Sequence, residues 1–190
     1  MVSPLREAGI PFYPVRGNHD TGIHTSTSTG LSVWEAAYPH LFEGETPLVD
    51  PTNVPAGSSA SPNPDNYSFV LEAAENTFLI GIDLYQGGNE AAYADWLEAQ
   101  LVEIRNEQPD AHIFIYAHSG LFASGKHPAL TQFGLSPASF VALCQQYQVD
   151  GWISGHNHIF DRSMVVDASD DDKALFFNMT VGSASNKFYP

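Results

Sequence analysis

At 190 residues, with 43% hydrophobic and 12% aromatic side chains, the chain has the material for a packed core, and nothing in it forces a second domain. Its formal charge of -15, from 22 acidic against 7 basic residues, disfavours a nucleic-acid partner, because a phosphate backbone would meet repulsion over most of the surface. Apolar runs such as Ile113–Ala117 are far too short to span a bilayer, and the single cysteine, Cys144, excludes an intrachain disulfide framework. An acidic surface suits extracellular or salty conditions as well as it suits divalent cations. Localisation therefore stays open, with a secreted or periplasmic setting slightly favoured over the cytoplasm.

Residues 4–8 read as the last turn of a helix closed by Gly9, followed by a strand over Ile10–Val15 that leads into Gly17. The chain is thus expected to begin inside an element whose start, with a preceding strand, lies upstream. Helical spacing follows over Ser32–Phe42, then a long Pro-, Ser-, Asn- and Gly-rich loop over Gly44–Asn66. Strands are expected at Tyr67–Glu72 and Thr77–Leu84 around a turn at Asn76, and a helix over Asn89–Glu107 with Ala92, Trp96, Leu97, Leu101 and Ile104 on one face. A strand over His112–Ala117, a helix over Pro137–Gln148 and a buried strand over Gly151–Ser154 come next. Ser163–Asp167 and Leu175–Val181 read as closing strands, with Asp170-Asp171-Asp172 as the turn between them. Strands alternating with helices predict a layered α/β unit whose polar residues sit in loops at strand ends.

Three of those strand-end loops carry chemistry. Gly155-His156-Asn157-His158 follows the apolar Trp152-Ile153, and histidines at i and i+2 project to one side only where the backbone is extended or turning. There they can reach two adjacent metal ions, one each, with Gly155 expected to let the backbone turn closely around them. Gly17-Asn18-His19-Asp20 follows a strand too; Asn18 offers a carbonyl oxygen, and Asp20 an acceptor for the His19 ring, although Gly, Asn and Asp also form ordinary turns. His118 ends the strand at Ala117. Each signal alone has a structural explanation, a turn or a satisfied core histidine; three together point to a cation site. His24, Tyr85 and His127 lie in loops that border such a cleft, as candidate substrate contacts. His40 and His112 read as structural, and Asn66-Tyr67-Ser68 and Asn178-Met179-Thr180 fit the glycosylation pattern.

In that order and spacing, Gly-Asn-His-Asp, a strand-end His and Gly-His-x-His resemble the calcineurin-like metallophosphoesterase superfamily over nearly the whole chain. Phe160-Asp161-Arg162-Ser163 is similar to the continuation in purple acid phosphatase-like members. The resemblance implies a single domain over residues 1–190 with an α/β fold, a four-layer αββα sandwich that is N-terminally truncated here. It implies two divalent or mixed-valence metal ions (Mn, Fe or Zn), one held by Asn18, His118 and His156 and the other by His158. A hydroxide between them would attack a phosphate mono- or diester, with His19 on the phosphate and leaving oxygen and Asp20 orienting His19. Gly17, Gly155 and Arg162 would support the loops, Arg162 by bracing residues 155–158.

The superfamily's two earlier motifs, Asp-x-His and Gly-Asp-x-x-Asp, do not occur in the sequence and are expected upstream of residue 1. Without their carboxylates the isolated chain is expected to be at best a weak one-metal binder, at partial occupancy, and nearly inactive, because hard cations rely on carboxylate oxygens. The alternative is a non-catalytic domain of the same fold that binds a ligand or a partner. The expected partner is a small phosphate ester, with no nucleic acid and no membrane span; the oligomeric state is open.

Overall fold

A computed structural model describes residues 3–10, 12–20, 33–43, 67–85, 90–122 and 125–182. They build one mixed six-stranded sheet in the order β1-β2-β3-β4-β6-β5. Its strands are β1 (Phe69–Ala74), β2 (Thr77–Ile82), β3 (His112–Ala117), β4 (Gly151–Ser154), β5 (Phe160–Asp167) and β6 (Asp170–Val181). The central four, β2, β3, β4 and β6, run parallel, while β1 and β5 pair antiparallel at the two edges. The helices are α1 (Ser3–Glu7), α2 (residues 33–37), α3 (Glu90–Glu107) and α4 (Pro137–Gln146). The fold is α/β, as expected, and the described residues form a single sheet. No helix among them is long and apolar enough to cross a membrane.

Parallel strands need crossovers, and α3 and α4 supply them between β2 and β3 and between β3 and β4. Their apolar faces meet one side of the sheet: Trp96, Leu97, Leu101, Phe140 and Cys144 pack with Ile80, Ile82, Ile113, Ile115 and Trp152. Residues of β3 alternate as pleating requires, so Ile113, Ile115 and Ala117 belong to that core while Tyr116 faces the other way. On that second side Trp34, Leu41, Tyr67 and Phe69 form a smaller cluster, with Tyr13, Val15 and Tyr116 packed against it.

Several boundaries differ from the sequence reading. Ile10–Val15 is apolar enough for a strand, yet residues 12–17 join no ladder among the described residues. This segment is held by side chains: the Tyr116 hydroxyl donates to the Tyr13 carbonyl (2.7 Å) and His40 Nε2 lies 2.7 Å from the Phe12 carbonyl. The helix over Ser32–Phe42 is shorter, residues 33–37, with a 3₁₀ turn at Pro39–Leu41, since a proline cannot donate within a helix. β5 begins at Phe160 rather than Ser163, and β6 takes in the three aspartates, leaving the turn at Ala168-Ser169. The loop over 44–66 and His24 lie outside the described residues, as does Asn66. Asn178, the other candidate glycosylation site, is buried at 1% exposure, which closes it to modification in the folded chain.

One contact ties the unpaired segment to the sheet edge. Arg16, 2% exposed, sends Nε to Asp83 Oδ2 (3.0 Å), and its Nη2 forms an ion pair with the same oxygen. Asp83, fully buried just beyond β2, also accepts the amide of Tyr85 (3.0 Å) on Oδ1, and the Arg16 guanidinium lies over the Tyr67 ring at 4.4 Å. Burial pushes the Asp83 carboxyl up, and Arg16 opposes that rise. Removing one member leaves a buried charge uncompensated, so Asp83→Ala is expected to destabilise the chain by about 3–5 kcal/mol. The double variant Arg16→Met/Asp83→Leu is expected to regain most of that loss in a urea titration; equal instability of both would contradict the assignment.

Candidate functional site

The parallel strands end in one place. Asp83 follows β2, His118 follows β3, the 155–158 loop follows β4, and Gly182 follows β6, so the carboxyl edge of the sheet gathers the sequence-predicted loops. Arg16 brings residues 17–20 to the same edge.

There His118 Nε2 sits 2.8 Å from Asn18 Oδ1 and 3.0 Å from His156 Nδ1. Residues about 100 and 38 positions apart in sequence thus converge on one imidazole nitrogen. Such spacing suits a shared cation, because donors bound at right angles about 2.1 Å from an ion lie roughly 3 Å apart. His156 Nε2 is buried and has no hydrogen-bond partner among the described residues. Among those residues no three His, Cys, Asp or Glu side chains gather into a cation site, so the third member of this set is the neutral amide of Asn18. The donor chemistry fits a divalent ion, and it lacks a carboxylate.

The backbone that presents His156 is strained. The Asn157 amide bonds the Gly155 carbonyl at 2.7 Å and the Ile159 amide bonds the Asn157 carbonyl at 2.8 Å, two successive three-residue turns with His156 and His158 at their apices. His156 has φ +63, the sparsely populated left-handed region that costs a side-chain-bearing residue of order 1–3 kcal/mol. The sequence reading gave this conformational role to Gly155. That is corrected: Gly155 has ordinary φ, and a Cβ there would meet its nearest neighbour at a comfortable 3.7 Å. The glycine that matters under this loop is Gly182, where a Cβ would fall 2.1 Å from the Asn157 carbonyl oxygen and 2.2 Å from the Ile159 nitrogen. At Gly17 too the approach is close, since a Cβ would lie 2.8 Å from the His118 ring.

Around this centre the remaining candidates fall into place unevenly. Asp20 accepts the Gly17 amide at 2.8 Å and returns its own amide to the Gly17 carbonyl at 3.0 Å, closing the 17–20 turn. His19 is exposed, and with His158 it adds to the positive field that both His118 and His156 would feel on protonation. The His127 ring centroid is 4.4 Å from that of His156, and Tyr85 is 6.1 Å from His118. Arg162 stands apart. It lines a cavity with Gln148, Asp150 and Lys173 toward the amino ends of β4 and β6, and no hydrogen bond or ion pair joins its side chain to residues 155–158. The bracing role expected of it is not what the fold builds.

Sequence reasoning missed Arg16, Asp83, Asn157 and Gly182. Arg16 and Asp83 had a signal, a charge at the end of an apolar run (Ile10–Val15 and Phe78–Ile82), where a buried partner is required. Asn157 had none, being the variable position between two histidines, and Gly182 is unmarked in sequence.

Burial, and then the neighbouring histidines, lower the pKa of both His118 and His156 to about 4. Both are neutral, lone-pair donors at pH 7. The unfolded chain takes up protons near pH 6.5 that the native site refuses until about 4, so stability is undiminished above 6.5 and falls as pH drops from 6.5 toward 4. Thermal midpoints across that window are expected to show the fall, and His118→Asn to flatten it; an unchanged slope in His118→Asn would contradict the burial. For the loops, Gly17→Ala is expected to cost about 1–3 kcal/mol by displacing the His118 ring, and Gly155→Ala less than about 0.5 kcal/mol. Equal costs, read in urea titrations, would contradict the contrast.

Comparison with known proteins accords with this geometry. The calcineurin-like phosphoesterase family model matches residues 1–160. Uncharacterized proteins from two strains of Mycobacterium tuberculosis are 23% identical over 155 residues, 80% of this chain and 28% of theirs. The chain therefore spans little more than a quarter of the length of the curated relatives it matches. A purple acid phosphatase isolated from yellow lupin (Lupinus luteus) seeds shares the fold, with a TM-score of 0.52 at 16% identity, covering 95% of this chain and 33% of that one. By the family match over residues 1–160 and the convergence of its motifs at one sheet edge, the chain belongs to the calcineurin-like phosphoesterase family.

Proposed function

We propose that the chain is a metal-dependent phosphoesterase domain that hydrolyses phosphate mono- or diesters. The observation that carries this is the meeting of Asn18, His118 and His156 within 2.8 and 3.0 Å contacts at the carboxyl edge of the sheet. Asn18 Oδ1, His118 and His156 would hold one divalent ion and His158 a second, of Mn, Fe or Zn. Ions held there supply Lewis-acid stabilisation of phosphoryl oxygens and a lowered pKa for water.

The chain's own side chains do the rest. His19, exposed at the mouth, reaches the phosphate and hydrogen-bonds or protonates the departing oxygen. Asp20 fixes the 17–20 turn through the Gly17 amide and so sets where His19 stands. Tyr85, half-buried beside His118 with its hydroxyl held neutral by burial, and His127, against His156, form the border on which an ester side group rests. With three neutral donors and no carboxylate in the contact set, cation affinity is low and turnover slow.

That same deficiency favours a second reading, a domain of this fold that binds a ligand without turning it over. Hydrolysis of p-nitrophenyl phosphate by the 190-residue chain in millimolar Mn²⁺ separates the two. Slow turnover that EDTA abolishes and that His19→Ala lowers by about 10²–10⁴-fold, with Mn²⁺ affinity unchanged, is the expected result. Turnover indifferent to His19→Ala would contradict the catalytic assignment, and Mn²⁺ binding with no turnover would favour the binding domain.

A further inference from the structure

Asn157, the residue between the two histidines of Gly155-His156-Asn157-His158, gives its side-chain amide to the main chain of His127. Its side chain is 2% exposed, and both of its polar atoms bond the same residue. Oδ1 accepts the His127 amide at 2.8 Å, and Nδ2 donates to the His127 carbonyl at 3.2 Å. A primary amide is the one uncharged side-chain group that offers a donor and an acceptor side by side, so it satisfies both main-chain groups of a residue at once. The partner segment needs such help. The described residues between β3 and the 3₁₀ turn at Leu130–Phe133, 118–122 and 125–129, join no ladder, and a buried main-chain amide or carbonyl must find a partner somewhere.

Two further observations show how close this seat is. A Cβ at Gly125 would fall 2.8 Å from Asn157 Oδ1, so position 125 has no room for a side chain while Asn157 is seated. The His127 ring lies with its centroid 4.4 Å from that of His156, at an interplanar angle of 39°. Asn157 sits on the strained turn that presents His156, so one loop fixes both rings: His156 through its backbone and His127 through the Asn157 amide.

The geometry points to Asn157 as a positioning residue for substrate: it clamps the 125–127 loop so that His127 stands over His156 at the border of the site. This rests on the phosphoesterase reading for the identity of the ligand, an anionic phosphate ester, and on the coordinates alone for the clamp. Asn157 acts entirely through His127. Its removal therefore weakens phosphate-ester binding as removal of His127 does, with no separate effect on cation binding or on the rate of the chemical step.

The test is a double-mutant cycle on the 190-residue chain in saturating Mn²⁺, with p-nitrophenyl phosphate for turnover and inorganic phosphate for binding. Asn157→Ala and His127→Ala are each expected to raise KM and the phosphate dissociation constant by about tenfold, with kcat within about twofold and Mn²⁺ affinity unchanged. The double variant is expected to be no weaker than either single one, since the two act as one unit. Asn157→Asp, which keeps the acceptor and loses the donor, is expected to fall between wild type and Asn157→Ala. Full additivity in the double variant, a loss confined to kcat or Mn²⁺ affinity, or unchanged phosphate binding in Asn157→Ala would each overturn the proposal.

Should the wild-type chain neither hydrolyse the ester nor bind phosphate, the phosphoesterase reading fails by itself. The clamp is then decided by the nuclear Overhauser contact between the His127 and His156 rings in metal-free protein. Its loss in Asn157→Ala, with the spectrum otherwise native, supports the clamp, and its persistence overturns it.

Discussion

The site depends on a buried ion pair that is not part of it. Residues 12–17 carry no ladder partner among the described residues, so no strand pairing holds Asn18 near His118. Arg16, contacting Asp83 at the end of β2, performs that task, with Tyr67 stacked on its guanidinium and Tyr116 holding Tyr13 from below. A buried pair of this kind is costly in desolvation and weak evidence of stability gained. What it contributes is placement: the guanidinium has one location in which its charge is matched, and that location puts Gly17 against the His118 ring.

The other half of the site is placed by different means. His118 leaves β3 with its position set by a ladder on both sides, whereas His156 leaves β4 through a turn that departs from extended backbone at once. The positive φ of His156 is tolerated because the surrounding contacts over-determine it: the Gly155 amide bonds the His118 carbonyl, and Gly182 admits the loop from β6. Burial and histidine crowding act together on these two imidazoles, keeping both neutral and their lone pairs available at physiological pH.

Much of this was legible before the coordinates. Short continuous apolar runs identified β3 and β4, helical spacing identified the face of α3 that is buried, and the order of the motifs identified the loops that meet. Where reading failed, the cause was competition between local signals and tertiary context. Ile10–Val15 has strand composition without a described strand to pair with, and β5 opens with Phe160-Asp161-Arg162, whose two charged residues break the apolar pattern in a way an edge strand tolerates because only part of its surface is covered. Gly155 drew attention as the glycine of its motif, but the left-handed position belongs to His156, one residue on. Asn157 illustrates the limit most clearly, because a buried asparagine is defined by the partners it satisfies, and those lie 30 residues away.

The central claim is that Asn18, His118 and His156 form one cation site. It is tested most directly by anomalous diffraction from crystals of the chain soaked in Mn²⁺. A manganese peak bonded to Asn18 Oδ1 and to imidazole nitrogens of His118 and His156, lost in His118→Asn, is the expected result. A peak at surface carboxylates alone, with these three side chains keeping their direct contacts, would contradict it.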